Sequence, residues 1–400
     1  MIALSRVAVV GASLAGLRAV EFLRRGGFEG ELVLIGEEPH LPYDRPPLSK
    51  ELLRGEWGPD RIALRRKSYD DLGVELVLGS RAVSLDTEAR EVELEDGRRV
   101  PFDGMVIATG GEVCELPNQP RLEGIHTLRT LDDSLAIRTA LERKPRVAVI
   151  GAGFIGAEVA ASAKQLGLEV TMIEALDTPL AKSLGPEVGR MLQAMHERRG
   201  VRVCCGRRVE RFDGTDRLRS LGLDDGTEIG CDLAVVGIGV RPATAWLEGS
   251  GVEVDDGVLC DATLATTVQG IVAAGDAASW HNPLFDEQMR VEHWTNAVEQ
   301  ARHAASTLLA GPAEAKPFES VPMFWSDQFD IKIQGVGHPR PSDDLRIIGD
   351  PEGERFIALY ARNDRLVGAV AFSQPPKLIR LRALIAQRGG LADAVKIAES

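Results

Sequence analysis

The chain carries one pattern twice. "RVAVVGASLAG" runs from Arg6 to Gly16, and "RVAVIGAGFIG" runs from Arg146 to Gly156, matching it position for position. In each copy four apolar strand residues meet a glycine-rich turn, an amphipathic helix follows, and a second apolar strand ends in an acid. The closing strands are "ELVLIGEE", with Glu37, and "EVTMIEA", with Glu174. Strand, helix, strand in that order is a βαβ unit, which puts its strands parallel and covers them with helices. Two such units in 400 residues, 44% of them hydrophobic, predict an α/β chain of two or three domains rather than one core.

The glycine spacing gives the turns a chemistry. In a G-x-G-x-x-G loop the first glycine makes the tight turn, the second lets the backbone approach a pyrophosphate, and the third lets helix and strand pack closely. The acid at the end of the next strand holds ribose hydroxyls. The second copy has all three glycines, Gly151, Gly153 and Gly156; the first has Gly11 and Gly16 but Ser13 between them. A serine hydroxyl can still donate to a phosphate oxygen, and the helix N-terminus supplies the rest of the anion stabilisation. The unaltered loop suits a cofactor that docks and leaves in each cycle, and the Ser13 loop suits one held permanently by many other contacts.

Several function classes are disfavoured. A net charge of −13 makes nucleic acid and anionic membranes poor partners. Cys114, Cys204, Cys205, Cys231 and Cys260 have neither the even count of a disulfide framework nor metal or iron–sulfur spacing, and the seven histidines are scattered, so no metal site is expected. No apolar run is long enough to span a bilayer, and the N-terminal apolar run is broken by Gly11 and Gly16 as a strand and turn would be. A cytoplasmic protein is expected.

Further segments, in order, carry a likeness to a known family: "PHLPYDRPPLSKELL" (Pro39 to Leu53), "ATGG", "VGIGVRP", "AAGDAA", "RVEHWTNAVEQARHAA" and "FWSDQFDIKIQGVG". With the two glycine loops, these resemble the FAD-dependent pyridine nucleotide oxidoreductases. Within them, the chain is most similar to the NADH-dependent ferredoxin reductases that serve bacterial cytochrome P450s and ring-hydroxylating dioxygenases. The resemblance implies two Rossmann-like dinucleotide-binding domains, the two-dinucleotide flavoprotein fold, followed by a small C-terminal α+β domain. The boundaries it suggests are 1–112 with 240–316 for FAD, 113–239 for NAD, and 317–400 for the last domain.

By the same resemblance Gly11, Ser13, Ala15 and Gly16 hold the FAD pyrophosphate and Glu37 its ribose. Val83 lies beside the adenine, and Arg45, Thr109, Gly110, Arg129, Asp276 and Trp294 complete the flavin pocket. Gly151, Gly153, Ile155, Gly156, Glu174 and Gly239 take the NADH. Lys50 sits beside the flavin N5 and pairs with Glu158. A hydride arriving at the flavin brings negative charge, which a fixed ammonium stabilises, and Glu158 orients that ammonium. These two are the expected catalytic residues. Glu174 accepts both ribose hydroxyls and repels a 2′-phosphate, and Ala175, Leu176 and Asp177 after it offer no arginine, so NADH is the expected donor.

The electron acceptor follows from the cysteines. Disulfide reductases and the oxidase and peroxidase relatives need cysteine near the flavin, and "HLPYDRPPLSK" has none. A protein acceptor of single electrons is the remaining common outlet, and the resemblance implies a small acidic iron–sulfur ferredoxin, met through Arg302, Trp325 and Lys332, with the basic run Lys377, Arg380 and Arg382 a further candidate. The reductase is expected to be a monomer or a weak dimer. Reduction of rubredoxin or a quinone, or a role like that of apoptosis-inducing factor, are the alternatives.

Overall fold

The computed structural model describes residues 4–117 and 119–400. Seven α-helices occur among them: α1 (Leu14–Arg25), α2 (Leu131–Leu141), α3 (Phe154–Gln165), α4 (Ala181–Arg198), α5 (Trp294–Ala310), α6 (Pro375–Ala386) and α7 (Leu391–Glu399). The chain divides into two compact units. One is built from the segments up to Asp44, Ala63–Glu112 and Arg241–Pro322; the other from Arg45–Ile62, Val113–Val240 and Met323–Ser400.

The centre of the first unit is a five-stranded parallel sheet in the order Ile271–Ala273, Gly104–Ile107, Arg6–Val10, Glu31–Gly36, Val74–Leu78. Its inner strands are continuous apolar runs, as a sheet covered on both faces requires, and Val7 to Val10 and Gly104 to Ile107 are all buried. Helices α1 and α5 pack against each other and against this sheet. Two antiparallel sheets complete the unit: Ala82–Asp86, Glu91–Leu94 and Arg99–Pro101; and Val254–Asp255, Gly257–Cys260, Ala278–Asn282 and Glu287–Arg290, whose second and third strands alone pair in parallel.

The second unit repeats the plan. Its parallel sheet runs Ile125–Thr127, Leu233–Val236, Val147–Ile150, Val170–Glu174, Arg202–Cys205. In both units the first strand of the βαβ pattern lies between its own second strand and a later closing strand. That reversal of strand order opens a crevice at the carboxyl end of the first strand, where the glycine loop sits. Alternate residues serve opposite faces. Val147, Val149, Met172 and Val235 join the core under α2 and α3, whereas Ala148, Ile150, Ile173 and Val236 pack on Leu221 and Ile229 of a three-stranded antiparallel sheet.

The last segment forms a five-stranded antiparallel sheet, Met323–Gln328, Ile331–Gly337, Arg365–Phe372, Arg355–Arg362, Asp344–Asp350, with α6 and α7 packed on it. Strand Met323–Gln328 lies against α3, with the Phe154 and Phe324 ring centroids 4.8 Å apart. Covered by both sheets, α3 buries nearly its whole circumference, from Gly156 to Ala163.

Candidate active site

The two glycine loops share a geometry. Gly11 and Gly151 have φ of 117° and 99°, and a Cβ on either would come within 2.0 Å of Ala108 O or 2.3 Å of Gly237 O. A Cβ on Gly16 would lie 1.8 Å from Gly11 O, and one on Gly156 2.0 Å from Gly151 O. Outer glycines are thus demanded by the packing of the chain on itself. The middle position is different: a Cβ on Gly153 would meet nothing within 4 Å. Ser13 and Gly153 begin α1 and α3, neither helix has a side-chain cap or an acid in its first turn, and so their leading N–H groups suit a pyrophosphate. Around Gly153 the surface is open and apolar. Ile155 is 47% exposed, Ile238 is 39% exposed, and Gly239 (φ 119°) also has no atom within 4 Å of an added Cβ. Both loops fit dinucleotides.

Glu174 ends the second strand of that unit, half-buried. Its Oε2 accepts from Ala152 N at 2.7 Å and its Oε1 from Leu176 N at 2.9 Å, so the carboxylate braces the glycine loop. The neighbouring strand ends beside it at Cys205, whose thiol is pushed up to about 12, by burial first and then by Glu174. Arg207 then bonds its backbone N–H to Glu174 O, while its guanidinium pairs with Asp225 at 2.6 Å. Arg207 escaped sequence reasoning because it follows the neighbouring strand Arg202–Cys205 rather than Glu174 itself.

Lys50 and Glu158 meet. Pro46 and Pro47 start a short 3₁₀ turn, Pro46–Ser49, which hands the chain to Lys50. Lys50 is 5% and Glu158 3% exposed, and Lys50 Nζ donates to Glu158 Oε2 at 2.8 Å. Ser49 Oγ donates to the same oxygen, and Ser326 Oγ donates to Oε1 at 2.7 Å. The Lys50 loop is also fastened by its carbonyls: Ser134 Oγ of α2 donates to Leu48 O and Ser162 Oγ of α3 to Ser49 O, each at 2.7 Å. Taking two charges out of water costs several kcal/mol per ion, so a buried pair survives only with its remaining hydrogen-bonding capacity filled. Here Ser49 and Ser326 fill that of the Glu158 carboxylate. None of the four serines was singled out from the sequence, although a period-two reading of "FWSDQ" puts Ser326 on the same face as Phe324.

Most of the flavin-pocket candidates belong to the first unit, whereas Arg45 and Arg129 belong to the second. Thr109 Oγ1 donates to Ala243 O at 2.8 Å, and Gly110, with φ 69°, accepts from Ala243 N at 3.0 Å. Asp276 is half-buried in the turn Gly275–Ala277, which Gln300 Oε1 anchors by accepting from Gly275 N at 2.8 Å. Trp294 opens α5 and donates from Nε1 to Asp44 Oδ1 at 2.7 Å. Ala15 is buried, with its Cβ 3.0 Å from the Cβ that Gly275 lacks. Glu37 is exposed just beyond strand Glu31–Gly36, 3.7 Å from the Arg81 guanidinium, and Val83 is 44% exposed at an irregularity of its sheet. Arg45 and Arg129 are joined, the first donating from its guanidinium to the carbonyl of the second, whose N–H bonds Asp133 Oδ2 at 2.9 Å.

Of the docking candidates, Trp325 and Lys332 lie on neighbouring strands of the C-terminal sheet. Arg302 is exposed on α5, but eight residues along a helix is about 12 Å, so it does not adjoin Trp294. Trp325 is half-buried, and Lys332 pairs with Asp327 at 2.8 Å. Lys377 Nζ donates to Ala398 O at 2.6 Å and Arg380 to Ser400 Oγ at 3.0 Å, fastening α6 to the end of α7; Arg382 is half-buried. Among the described residues no cluster of side chains could hold a metal ion, and no helix is long and apolar enough to cross a membrane.

Residues 5–301 match the family described as pyridine nucleotide-disulphide oxidoreductase, and residues 323–399 match the one described as reductase C-terminal. The chain is 36% identical over 391 residues to the ferredoxin--NAD(+) reductase component of the p-cumate 2,3-dioxygenase system of Pseudomonas putida, covering 97% of this chain and 95% of that one. It is 34% identical to rhodocoxin reductase of Rhodococcus erythropolis, over 95% of this chain and 89% of that one. Among solved structures it is similar to the covalent putidaredoxin reductase–putidaredoxin complex, with a TM-score of 0.92 and 30% identity over 98% of this chain and 99% of that one.

Proposed function

Because the chain belongs to the pyridine nucleotide-disulphide oxidoreductase family and carries its reductase C-terminal domain, we propose that it is an NADH-dependent ferredoxin reductase of an oxygenase system. The relatives named for such systems support the reading. Bound FAD supplies the chemistry that takes a hydride and releases electrons singly. The domains are 1–112 with 240–316 for FAD, 113–239 for NAD, and 317–400 as the C-terminal domain.

The observation that carries the reading is the buried Lys50–Glu158 pair, 2.8 Å apart, with Lys50 on a loop without cysteine. An ammonium held by a carboxylate is a permanent, oriented positive charge, which stabilises negative charge arriving beside it without reorganisation. Ser13, Gly11, Ala15, Gly16 and the N-terminus of α1 hold the FAD pyrophosphate, and Glu37 its ribose. Asp276, Arg45, Arg129, Thr109, Gly110, Val83 and Trp294 complete that pocket. Gly151, Gly153, Ile155, Gly156 and Gly239 seat the nicotinamide cofactor, and Glu174 selects NADH. With no thiol in the Lys50 loop, electrons leave to a small acidic iron–sulfur ferredoxin that feeds a P450 or a dioxygenase. The reductase works in the cytoplasm as a monomer or weak dimer.

The test mixes the purified, FAD-loaded chain with NADH and an acidic ferredoxin. Ferredoxin reduction is expected; NADH oxidation that passes electrons to a quinone or rubredoxin and never to a ferredoxin would refute the reading. Two acidic proteins must meet through a local positive face, to which Arg302, Trp325 and Lys332 are assigned. Rim charges act on encounter rate, so Arg302→Glu is expected to raise the KM for ferredoxin and leave flavin reduction by NADH unchanged. Indifference of ferredoxin reduction to this reversal would place docking on another surface.

A further inference from the structure

Strand Met323–Gln328 turns Phe324, Ser326 and Gln328 inward, and the two polar members are both 0% exposed. A buried hydroxyl and a buried amide are costly unless bonded. Their bonds form a chain whose direction is fixed by its end. Ser326 Oγ lies 2.7 Å from Glu158 Oε1, and an ionised carboxylate only accepts, so the hydroxyl gives its proton there. Gln328 Nε2, 3.1 Å away, must then donate to Ser326, which turns Gln328 Oε1 toward His196. His196 Nε2 donates to that oxygen at 2.9 Å from the last turn of α4, and it too is 0% exposed. Every donor in the chain points toward Glu158, whose other oxygen holds Lys50.

We propose that Ser326 and Gln328, with His196 behind them, are positioning residues for hydride transfer, acting through Glu158 on the Lys50 ammonium. The proposal rests on the reading of Lys50 as the fixed charge beside the flavin. A carboxylate held by one partner can rotate and offer either oxygen. With Ser326 on Oε1, the plane of the carboxylate is fixed, and with it the place of Oε2, to which Lys50 and Ser49 donate. A supporting shell of this kind is what holds a reactive group to its working geometry.

The experiment compares Ser326→Ala, Lys50→Ala and the double variant as FAD-loaded proteins, reading both the limiting rate of flavin reduction by NADH and the midpoint potential of the bound flavin. Loss of one buried hydrogen bond predicts a rate about fivefold lower for Ser326→Ala, with NADH affinity unchanged and a lower flavin potential. In the Lys50→Ala background the same change is expected to do nothing further to either quantity, because its route runs through the ammonium. Ser326→Thr, which keeps the hydroxyl, restores both. Native rate and potential in Ser326→Ala, or an effect that adds in full to that of Lys50→Ala, overturns the proposal. If Lys50→Ala alone leaves reduction at the native rate, the reading of Lys50 fails and the proposal falls with it. Should Ser326→Ala not fold, Gln328→Met is read in the same way, with native values overturning the proposal.

Discussion

Ser326 and Lys50 hold opposite oxygens of one buried carboxylate, Ser326 at 2.7 Å on Oε1 and Lys50 at 2.8 Å on Oε2 of Glu158. The serine comes from the C-terminal sheet, the lysine from a proline-bound loop, and the acid from the helix that the second glycine loop starts. The helix that begins at the second glycine loop therefore also carries the acid that holds the Lys50 ammonium.

Gly153 separates binding from folding. An added Cβ meets no atom within 4 Å, and Gly153 has φ −70°, which alanine adopts without strain. Gly153→Ala is expected to keep its melting temperature and to weaken NADH about tenfold, since its methyl would stand where the pyrophosphate is proposed to approach. Calorimetry with NADH titration checks this. Gly156→Ala, whose Cβ would lie 2.0 Å from Gly151 O, is expected to lose stability instead.

Coenzyme choice involves more than one acid. Glu174→Ala removes the proposed acceptor of both ribose hydroxyls and also releases the N–H groups of Ala152 and Leu176. NADH should weaken by about tenfold or more from the lost charged hydrogen bonds. A gain for NADPH is expected only when Asp225→Asn also releases Arg207 from its 2.6 Å pair. Specificity constants for both coenzymes in the single and double variants decide this.

The sequence made the duplicated βαβ units legible because their glycines answer to local geometry, and Gly11 and Gly151 need positive φ whatever the rest of the chain does. It also placed Lys50 and Glu158 together, through family resemblance rather than through spacing. Ser134, Ser162, Ser326 and Arg207 were not legible. Each acts through a contact with a distant segment, and a serine or arginine carries no local signature that names such a partner. Arg302 shows the converse: closeness to Trp294 in the motif translated into about 12 Å along α5.

His196 gives the second unit a pH-dependent stability. Burial pushes its imidazole down to about 4 from the usual 6.5, against the smaller opposing effect of its bond to Gln328, with Arg199 and Glu354 the charged groups around it; Nδ1 has no hydrogen-bond partner among the described residues. The folded state thus binds fewer protons than the unfolded chain between these values. Its contribution is complete above pH 6.5, falls as the pH drops toward 4, and amounts to about 2 kcal/mol lost at pH 5. Denaturant melts of the native chain and of His196→Gln at pH 7 and pH 5 should differ by this amount in their pH dependence. Equal slopes would show that His196 is solvated in the folded state.

Anaerobic stopped-flow reduction of the FAD-loaded protein by NADH reads the proposed role of Lys50 as the fixed charge that hydride transfer meets. Removing one preorganised group that stabilises developing charge costs about 10²-fold. Lys50→Ala is accordingly predicted to lower the limiting rate of flavin reduction by about that factor while the NADH concentration giving half the limiting rate stays near the native value. A Lys50→Ala protein that retains its FAD and is reduced by NADH at the native rate would contradict the account.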